Sequence, residues 1–140
     1  MVFKGLRQMK RKMKKEQKME ILKKIVSIIK DKEEVLFAYV FGSFVKDEEF
    51  SDIDIGVYLR NSADIEKEFA LENEIEEALK IPVDVRIINN APVSFIYNVL
   101  RDKILIKDNE KRADFEGQIL KRYFDYVHLL DEYLKEAVHA

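Results

Sequence analysis

This sequence lacks several residue types on which common functional sites depend. Its 140 residues include no cysteine, no tryptophan and only two histidines, His128 and His139. The absence of cysteine excludes disulfide bonds and thiolate zinc sites, and two histidines so near the C-terminus argue against a metal centre built from imidazoles. No apolar run reaches the length of a membrane-spanning helix, and the basic N-terminus has no apolar core of a secretory signal. We therefore expect a cytoplasmic protein with no membrane partner.

The length and composition are typical of one domain. With 47% apolar and 37% charged residues, the chain can bury an ordinary core, and we predict a single domain over residues 1–140. Residues 1–12 are expected to form a basic arm that frays.

The charge is distributed unevenly along the chain. The first thirty residues contain eleven lysines and arginines against two glutamates, whereas the remainder contains fourteen basic and twenty-five acidic residues. Such a basic segment can bind nucleic acid or an acidic partner. Only Phe3 interleaves with these lysines, which weakens the case for base stacking. We therefore favour a solvated helix face over nucleic-acid binding.

Hydrophobic periodicity predicts strands that alternate with helices. Strands are predicted at Val35–Phe41, Asp52–Leu59, Pro82–Ile88 and Ile104–Ile106. Helices are predicted at about Met13–Lys30, Ala63–Leu79, Pro92–Leu100 and Glu110–Ala137. This order indicates an α/β (α+β) fold, in which helices flank a small mixed sheet of about four strands and the last helix is long.

Side-chain spacing predicts which residues of two helices face the core. In the helix that ends at Leu79, Ser62 is the expected N-cap, and the residues expected to point inward are Ile65, Phe69, Ile75 and Leu79. In the last helix three tyrosines recur at helical spacing and are expected to lie in the core or at its rim: Tyr123, Tyr126 and Tyr133.

The stretch Val35–Leu59 carries the strongest functional pattern. An apolar run ends at Gly42-Ser43, and a further strand begins at Asp52-Ile53-Asp54. Residues i and i+2 of a strand share a face, so the two aspartates would present neighbouring carboxylates whose charges repel. Mg²⁺ prefers such oxygen ligands and shares its shell with substrate phosphates. Glycine permits close approach by a ligand, and a serine that opens a helix can face a phosphate.

A third carboxylate fits the same site. Asp84 lies at the centre of the predicted strand Pro82–Ile88, with Val83 and Val85 on the opposite face. If this strand pairs with Asp52–Leu59, the three carboxylates converge, and two metal ions roughly 4 Å apart become feasible. Arg86 shares the face of Asp84 and is expected to neutralise it.

These motifs resemble a known superfamily. Gly42-Ser43-Phe44, Ser51–Ile55 and Val83–Ile88 are similar to the nucleotidyltransferases that include DNA polymerase β and kanamycin nucleotidyltransferase. The small size and the runs Val83–Leu105 and Asp114–Leu134 resemble the minimal nucleotidyltransferase (MNT) domain of MntA-type antitoxins. One departure is the eight-residue connection Phe44–Ser51, which is shorter than usual in these proteins and carries Lys46 near their usual arginine.

The resemblance implies a polymerase β-like fold that transfers AMP from ATP, with two Mg²⁺ ions, to a hydroxyl group. It implies that the catalytic and metal-binding residues are Asp52, Asp54 and Asp84. The nucleotide-binding residues that it implies are Gly42, Ser43, Phe44, Lys46 and Ser51. The acceptor that it implies is a tyrosine of a cognate HEPN-domain toxin.

Two alternatives remain open. One is an enzyme that adenylylates a small molecule. The other is a subunit without catalysis that masks its partner by contact alone.

Overall fold

A computed structural model describes residues 9–61 and 65–139 of the chain. Its strands are β1 (Arg11–Lys12), β2 (Val35–Phe41), β3 (Glu49–Phe50), β4 (Ile53–Leu59), β5 (Val83–Ile87) and β6 (Ile104–Lys107). Its helices are α1 (Lys15–Ile29), α2 (Ser43–Lys46), α3 (Ile65–Leu79), α4 (Val93–Arg101) and α5 (Arg112–His139).

Four strands form the main sheet in the order β5-β4-β2-β6. β2 pairs antiparallel with β4 and with β6, whereas β4 and β5 run parallel. The central strands β2 and β4 are the most continuous apolar runs of the chain, as expected for strands that are covered on both faces. The mixed four-stranded sheet, its flanking helices and the long last helix confirm the predicted fold class.

The sheet separates two apolar cores. The larger core lies on the face covered by α1 and α3 and includes Ile25, Ile55 and Val85. The smaller core lies under α4 and α5 and includes Phe37, Tyr39 and Ile96. Because side chains alternate along β4, the residues opposite its core-facing isoleucines share the face of α4 and α5. This placement decides where the functional residues lie.

A second, two-stranded sheet was not predicted. β1 pairs antiparallel with β3 through Arg11 opposite Phe50 and Lys12 opposite Glu49. Of the arm that was predicted to fray over residues 1–12, residues 1–8 lie outside the described residues, and Arg11 and Lys12 form β1 instead. Two-residue strands are too short to show an alternating pattern in the sequence.

Helix α3 binds the edge of the sheet through its glutamates. Carboxylate oxygens of Glu76, Glu72 and Glu68 accept hydrogen bonds from the backbone N–H groups of Val83, Val85 and Ile87, at 2.9, 3.0 and 3.2 Å. These bonds satisfy donors on the outer side of β5 that no neighbouring strand can reach.

The glutamates also correct the predicted orientation of this helix. Leu71 and Ile75 are buried, but Ile65 and Phe69 are 64% and 56% exposed. The prediction that these two residues face the core is wrong, because the glutamates and Leu71 occupy the side of α3 that meets the sheet. The predicted N-cap Ser62 lies outside the described residues.

A charged network joins α5 to the sheet. The hydroxyl of buried Tyr39 donates a 2.8 Å hydrogen bond to Glu116, which also contacts Arg112 at 3.0 Å and Lys103 at 3.5 Å. Burial by itself raises the pKa of Glu116, but the hydrogen bonds from Tyr39 and Arg112 and the charge of Lys103 outweigh it and lower that pKa. Burial and the bond to Glu116 raise the pKa of the Tyr39 hydroxyl well above its usual range.

Beyond this network α5 continues without burial. Ile119 is its last buried residue, and every described residue after Tyr123 is exposed. Tyr123 is half-buried, whereas Tyr126 and Tyr133 are 58% and 68% exposed, so the expected core or rim position fits only the first of the three tyrosines. Within the described part of the chain, no helix has the length and apolar character needed to cross a membrane.

Candidate active site

The turn after β2 places a glycine directly beside a carboxylate. Gly42 has φ +79°, a backbone conformation that favours glycine. A Cβ atom at this position would collide with Oδ2 of Asp54. The carbonyl of Gly42 accepts bonds from the N–H groups of Val45 and Lys46 at 3.0 and 3.2 Å, which closes the short helix α2. Glycine is therefore required here both for the turn and for the close approach of Asp54.

Two of the predicted acidic residues lie opposite each other. Asp54 of β4 and Asp84 of β5 are register partners on parallel strands, and neighbouring strands lie about 4.8 Å apart. Asp54 is also the partner of Phe41 on β2. The flanking residues Ile53 and Val83 are fully buried on the opposite face. The aspartates therefore occupy the face of the sheet that α4 and α5 cover farther along.

Arg86 accompanies this pair as predicted. Its Nε lies 3.5 Å from Oδ1 of Asp84, and the Asp84 side chain is 36% exposed. The ion pair balances part of the negative charge while leaving Asp84 open to a ligand.

Asp52 lies just before β4, which begins at Ile53 rather than at the predicted Asp52. It is half-buried and precedes Asp54 by two residues. Among the described residues, no group of three histidine, aspartate or glutamate side chains is gathered closely enough to hold a metal ion. The structure thus pairs Asp54 with Asp84, and the three-carboxylate metal site stays a prediction.

The chemistry of these donors nevertheless fits the expected metal. Asp52, Asp54 and Asp84 offer only carboxylate oxygens, which suit a hard cation such as Mg²⁺ and do not suit zinc sites built from nitrogen and sulfur.

The other predicted nucleotide-binding residues are spread along α2 and the connection after it. Ser43 begins α2 and is half-buried. Phe44 is 1% exposed and packs edge-to-face on Phe50 with ring centres 4.9 Å apart, so its side chain belongs to the core. Lys46 is exposed at the far end of α2. The carbonyl of Ser51 accepts a 2.8 Å bond from Arg11, so this carbonyl is held by the N-terminal segment.

A lysine of α1 that the sequence did not single out holds this region together. Nζ of Lys18 donates to the carbonyls of Phe44 and Asp47 at 2.8 and 2.7 Å. It also lies 5.2 and 5.5 Å from the ring centres of Phe44 and Phe50, within the range of cation–π attraction. Together with the β1–β3 pairing, Lys18 anchors the eight-residue connection between the glycine turn and the aspartates. A pattern of apolar spacing cannot reveal such a contact.

A basic cavity of about 880 Å³ adjoins the same connection. It lies between the start of α1 and the end of α2, and five lysines line it: Lys12, Lys14, Lys15, Lys18 and Lys46. Lys46 therefore faces this cavity, whereas Asp54 and Asp84 lie near the glycine end of α2.

A family comparison identifies the pattern as a whole. The model of the polymerase beta, nucleotidyltransferase family matches residues 23–112, more than half of the chain. This range contains β2, the glycine turn, all three aspartates and β6. Among curated proteins, no significant match to this sequence was found.

Similar folds occur in solved toxin–antitoxin structures. A structure of a tri-AMPylated Shewanella oneidensis HEPN toxin in complex with MNT antitoxin gives a TM-score of 0.64 at 23% identity, covering 88% of this chain and 99% of that one. The MntA–HepT toxin–antitoxin structure gives 0.62 at 23% identity, covering 87% and 99%. A toxin–antitoxin structure with AMP-PNP gives 0.65 at 24% identity, covering 85% and 98%. At identities this low, the structural likeness establishes the shared fold alone.

Proposed function

This chain belongs to the polymerase beta, nucleotidyltransferase family, and from that premise we propose that it transfers AMP from ATP to a tyrosine of a HEPN-type toxin, as the antitoxin of a toxin–antitoxin pair. The observation that carries the proposal is the juxtaposition of Gly42, Asp54 and Asp84. One similar structure is a tri-AMPylated HEPN toxin in complex with MNT antitoxin, and it supports the proposed acceptor. Another is a toxin–antitoxin structure with AMP-PNP, and it supports the proposed nucleotide. A cytoplasmic location follows from such a pair.

Four residues of the chain would bind the nucleotide. The missing side chain of Gly42 leaves room for the Asp54 carboxylate beside the start of α2, where a phosphate and its metal would bind. The half-exposed Ser43 offers a hydroxyl at the start of α2, and Lys46 offers a positive charge at its end. Phe44 contributes through its backbone, because its ring is buried.

The three aspartates would hold the metal. Asp52, Asp54 and Asp84 are the residues we propose as ligands of two Mg²⁺ ions, which when bound neutralise the triphosphate and polarise the α-phosphate. Bound Mg²⁺ would also offset the repulsion between Asp54 and Asp84, to which the Arg86 ion pair already contributes.

The chain's own groups would act on the acceptor as follows. Asp84, oriented by Arg86, receives the proton of the tyrosine hydroxyl. The tyrosine oxygen forms a bond to the α-phosphorus, and the bond from that phosphorus to the bridging oxygen breaks, so that pyrophosphate leaves. Catalysis by this arrangement is mainly positioning and charge neutralisation.

Label transfer tests this function. The purified chain is mixed with a HEPN-domain toxin, Mg²⁺, and ATP labelled on the α- or γ-phosphate. We expect the α label on the HEPN protein as a mass increase of one AMP, and the γ label in pyrophosphate. Asp84→Asn should abolish the transfer. Transfer of the γ label would indicate a kinase and refute the mechanism.

The short connection Phe44–Ser51 favours one second candidate, a subunit that inhibits its toxin by contact alone. In that case a tight complex forms and neither label moves.

A further inference from the structure

The C-terminal half of α5 presents apolar side chains that nothing in the described chain covers. Of the fourteen exposed large hydrophobic residues among the described residues, nine lie on α5 from Leu120 onward, and Phe124, Leu134 and Val138 are 58%, 53% and 77% exposed. The nine are Leu120, Phe124, Tyr126, Val127, Leu129, Leu130, Tyr133, Leu134 and Val138. Contiguous apolar surface of this extent marks an interaction site more often than single scattered residues do.

These residues form one wide face, interrupted by Arg122 and Asp131, which we call the apolar face of α5. At about 100° per residue they cover roughly 200° of the helix circumference. The remaining arc is charged or polar and contains Lys121, Asp125, His128, Glu132, Lys135 and Glu136. Such a wide apolar arc exceeds what contact with a single flat surface would cover, and suits a helix that packs between other helices.

The apolar face is continuous with the smaller core. Tyr123 stacks on Tyr97 of α4 with ring centres 3.6 Å apart and planes at 4°, and Phe124 also contacts Tyr97. Next to this stack is a cavity of about 360 Å³ that is lined by Val93, Ser94 and Tyr126, among others. It offers a recess for an apolar anchor at the point where α5 leaves the body of the protein.

The apolar face of α5 extends from the smaller core, which lies on the same side of the sheet as the aspartates. Phe115 of α5 packs on Tyr58, with ring centres 5.0 Å apart, and Tyr58 shares its face of β4 with Asp54. A protein bound to α5 would therefore lie on the side of the sheet from which the proposed site is reached. A small molecule would need no such surface.

We infer that the apolar face of α5 docks helices of the HEPN-type toxin, an inference that rests on the function proposed above. Full burial of its side chains would remove on the order of 800 Å² from water, which is what one partner contributes to a stable interface of standard size. The toxin, rather than a second copy of this chain, is the occupant because the chain must hold a protein acceptor close to Asp84 and offers no other apolar surface of this size within residues 9–61 and 65–139.

A pair of matched double variants tests the docking surface. Leu130→Ser with Leu134→Ser removes two exposed apolar side chains from the face, and Lys121→Ser with Glu136→Ser introduces the same residues on the charged arc. Both pairs change helix propensity alike, and circular dichroism checks that helix content is equal. Calorimetry with the HEPN-domain protein should show an affinity loss of at least ~30-fold for the leucine pair and less than ~3-fold for the control.

The outcomes separate this inference from the proposed function. Equal affinity of the two variants, absence of any complex with the wild-type chain, or a chain that dimerises alone through these leucines would overturn the docking surface. If the leucine pair weakens the complex but no α label reaches the toxin from the wild-type chain, the docking surface stands and AMP transfer fails. If label transfer depends on Asp84 but is indifferent to the leucines, AMP transfer stands and the docking surface fails.

Discussion

The carboxylate of Asp54 occupies the space that any side chain at Gly42 would need. A side chain added at position 42 must therefore displace the Asp54 carboxylate. Because Asp54 is also the register partner of Asp84, a displacement at position 42 is transmitted to both carboxylates.

Gly42→Ala should consequently lower both activity and stability. The positive φ costs an alanine about 1 kcal/mol, and the clash with Asp54 adds to this, so we expect a loss of roughly 2–4 kcal/mol in the free energy of unfolding. AMP transfer should fall by at least ~100-fold, since misplacement of about 1 Å has effects of that size. Urea unfolding and label transfer measure the two effects.

Gly117→Ala provides the matched control, because nothing lies within 4 Å of its added Cβ and it is inside α5. There alanine should stabilise the protein by up to ~1 kcal/mol. A Gly42→Ala variant as stable and active as Gly117→Ala would mean that the turn tolerates a side chain.

Removing a charge from the acidic pair should separate stability from function. In Asp84→Asn or Asp54→Asn the repulsion between the two partners disappears, so the apo protein should keep its unfolding free energy within ~1 kcal/mol or gain slightly. AMP transfer and Mg²⁺-dependent ATP binding should both be lost. Thermal unfolding in EDTA and calorimetry with MgATP are the measurements.

The exposed Asp31→Asn, at a turn far from the site in sequence, is the control for the general loss of one negative charge. A large fall in melting temperature for both site variants would show that these aspartates hold the fold. Equal ATP affinity of the wild type with and without EDTA would remove the metal from the proposal.

The stability contributed by Glu116 should depend on pH. Its pKa in the folded protein lies below the usual value of 4.5, so the stabilisation is fully present above that value and is lost as the pH falls through the folded-state pKa. Glu116→Gln should therefore cost roughly 1–3 kcal/mol at pH 7, the range of a hydrogen bond to a charged group. The cost should shrink in acid, as denaturant titrations at several pH values can show.

Glu110→Gln, an exposed position just before α5, should leave the stability unchanged at every pH. A cost at position 116 that stays constant down to the most acidic pH would indicate that the side chain acts through packing rather than through its charge.

Lys18→Met should loosen the connection Phe44–Ser51. The substitution leaves the carbonyls of Phe44 and Asp47 without their ammonium donor, and hydrogen exchange of residues 44–51 should speed up by at least ~10-fold. Since Lys18 acts through the connection, we expect a raised KM for ATP with a smaller change in kcat.

Lys18→Arg should restore part of the protection, and Lys24→Met, at an exposed position of the same helix, should have no effect. Unchanged exchange in Lys18→Met would show that β1 and β3 alone suffice to fix the connection.

The sequence contained enough information for the sheet and for the acidic pair. The apolar runs at Val35–Phe41 and around Asp54 identified the central strands, and the period of two placed Asp84 opposite its apolar neighbours. The alternation of strands and helices along the chain followed from hydrophobic periodicity, whereas the pairing of the Asp84 strand with the Asp54 strand was only a condition of the sequence argument and is supplied by the structure.

The remaining features depend on contacts between distant segments. The orientation of α3 follows from glutamates that bind the outer strand, a role that hydrophobic spacing cannot reveal, and Ile65 and Phe69 were misplaced for that reason. The contact of Lys18 with the α2 carbonyls, and the β1–β3 pairing, arise from segments more than twenty-five residues apart. The C-terminal part of α5 has the apolar spacing of a core helix, because a helix that buries an apolar face against a partner protein shows the same spacing.

The carboxylates of α3 also limit how this protein can assemble. Since Glu68, Glu72 and Glu76 already occupy the outward N–H groups of β5, a strand from another molecule cannot extend the sheet at that side. This blocks edge-to-edge growth of the kind that leads to fibres. Association of this protein at that side of the sheet is therefore excluded, and the most extensive exposed apolar surface left among the described residues is the one on α5.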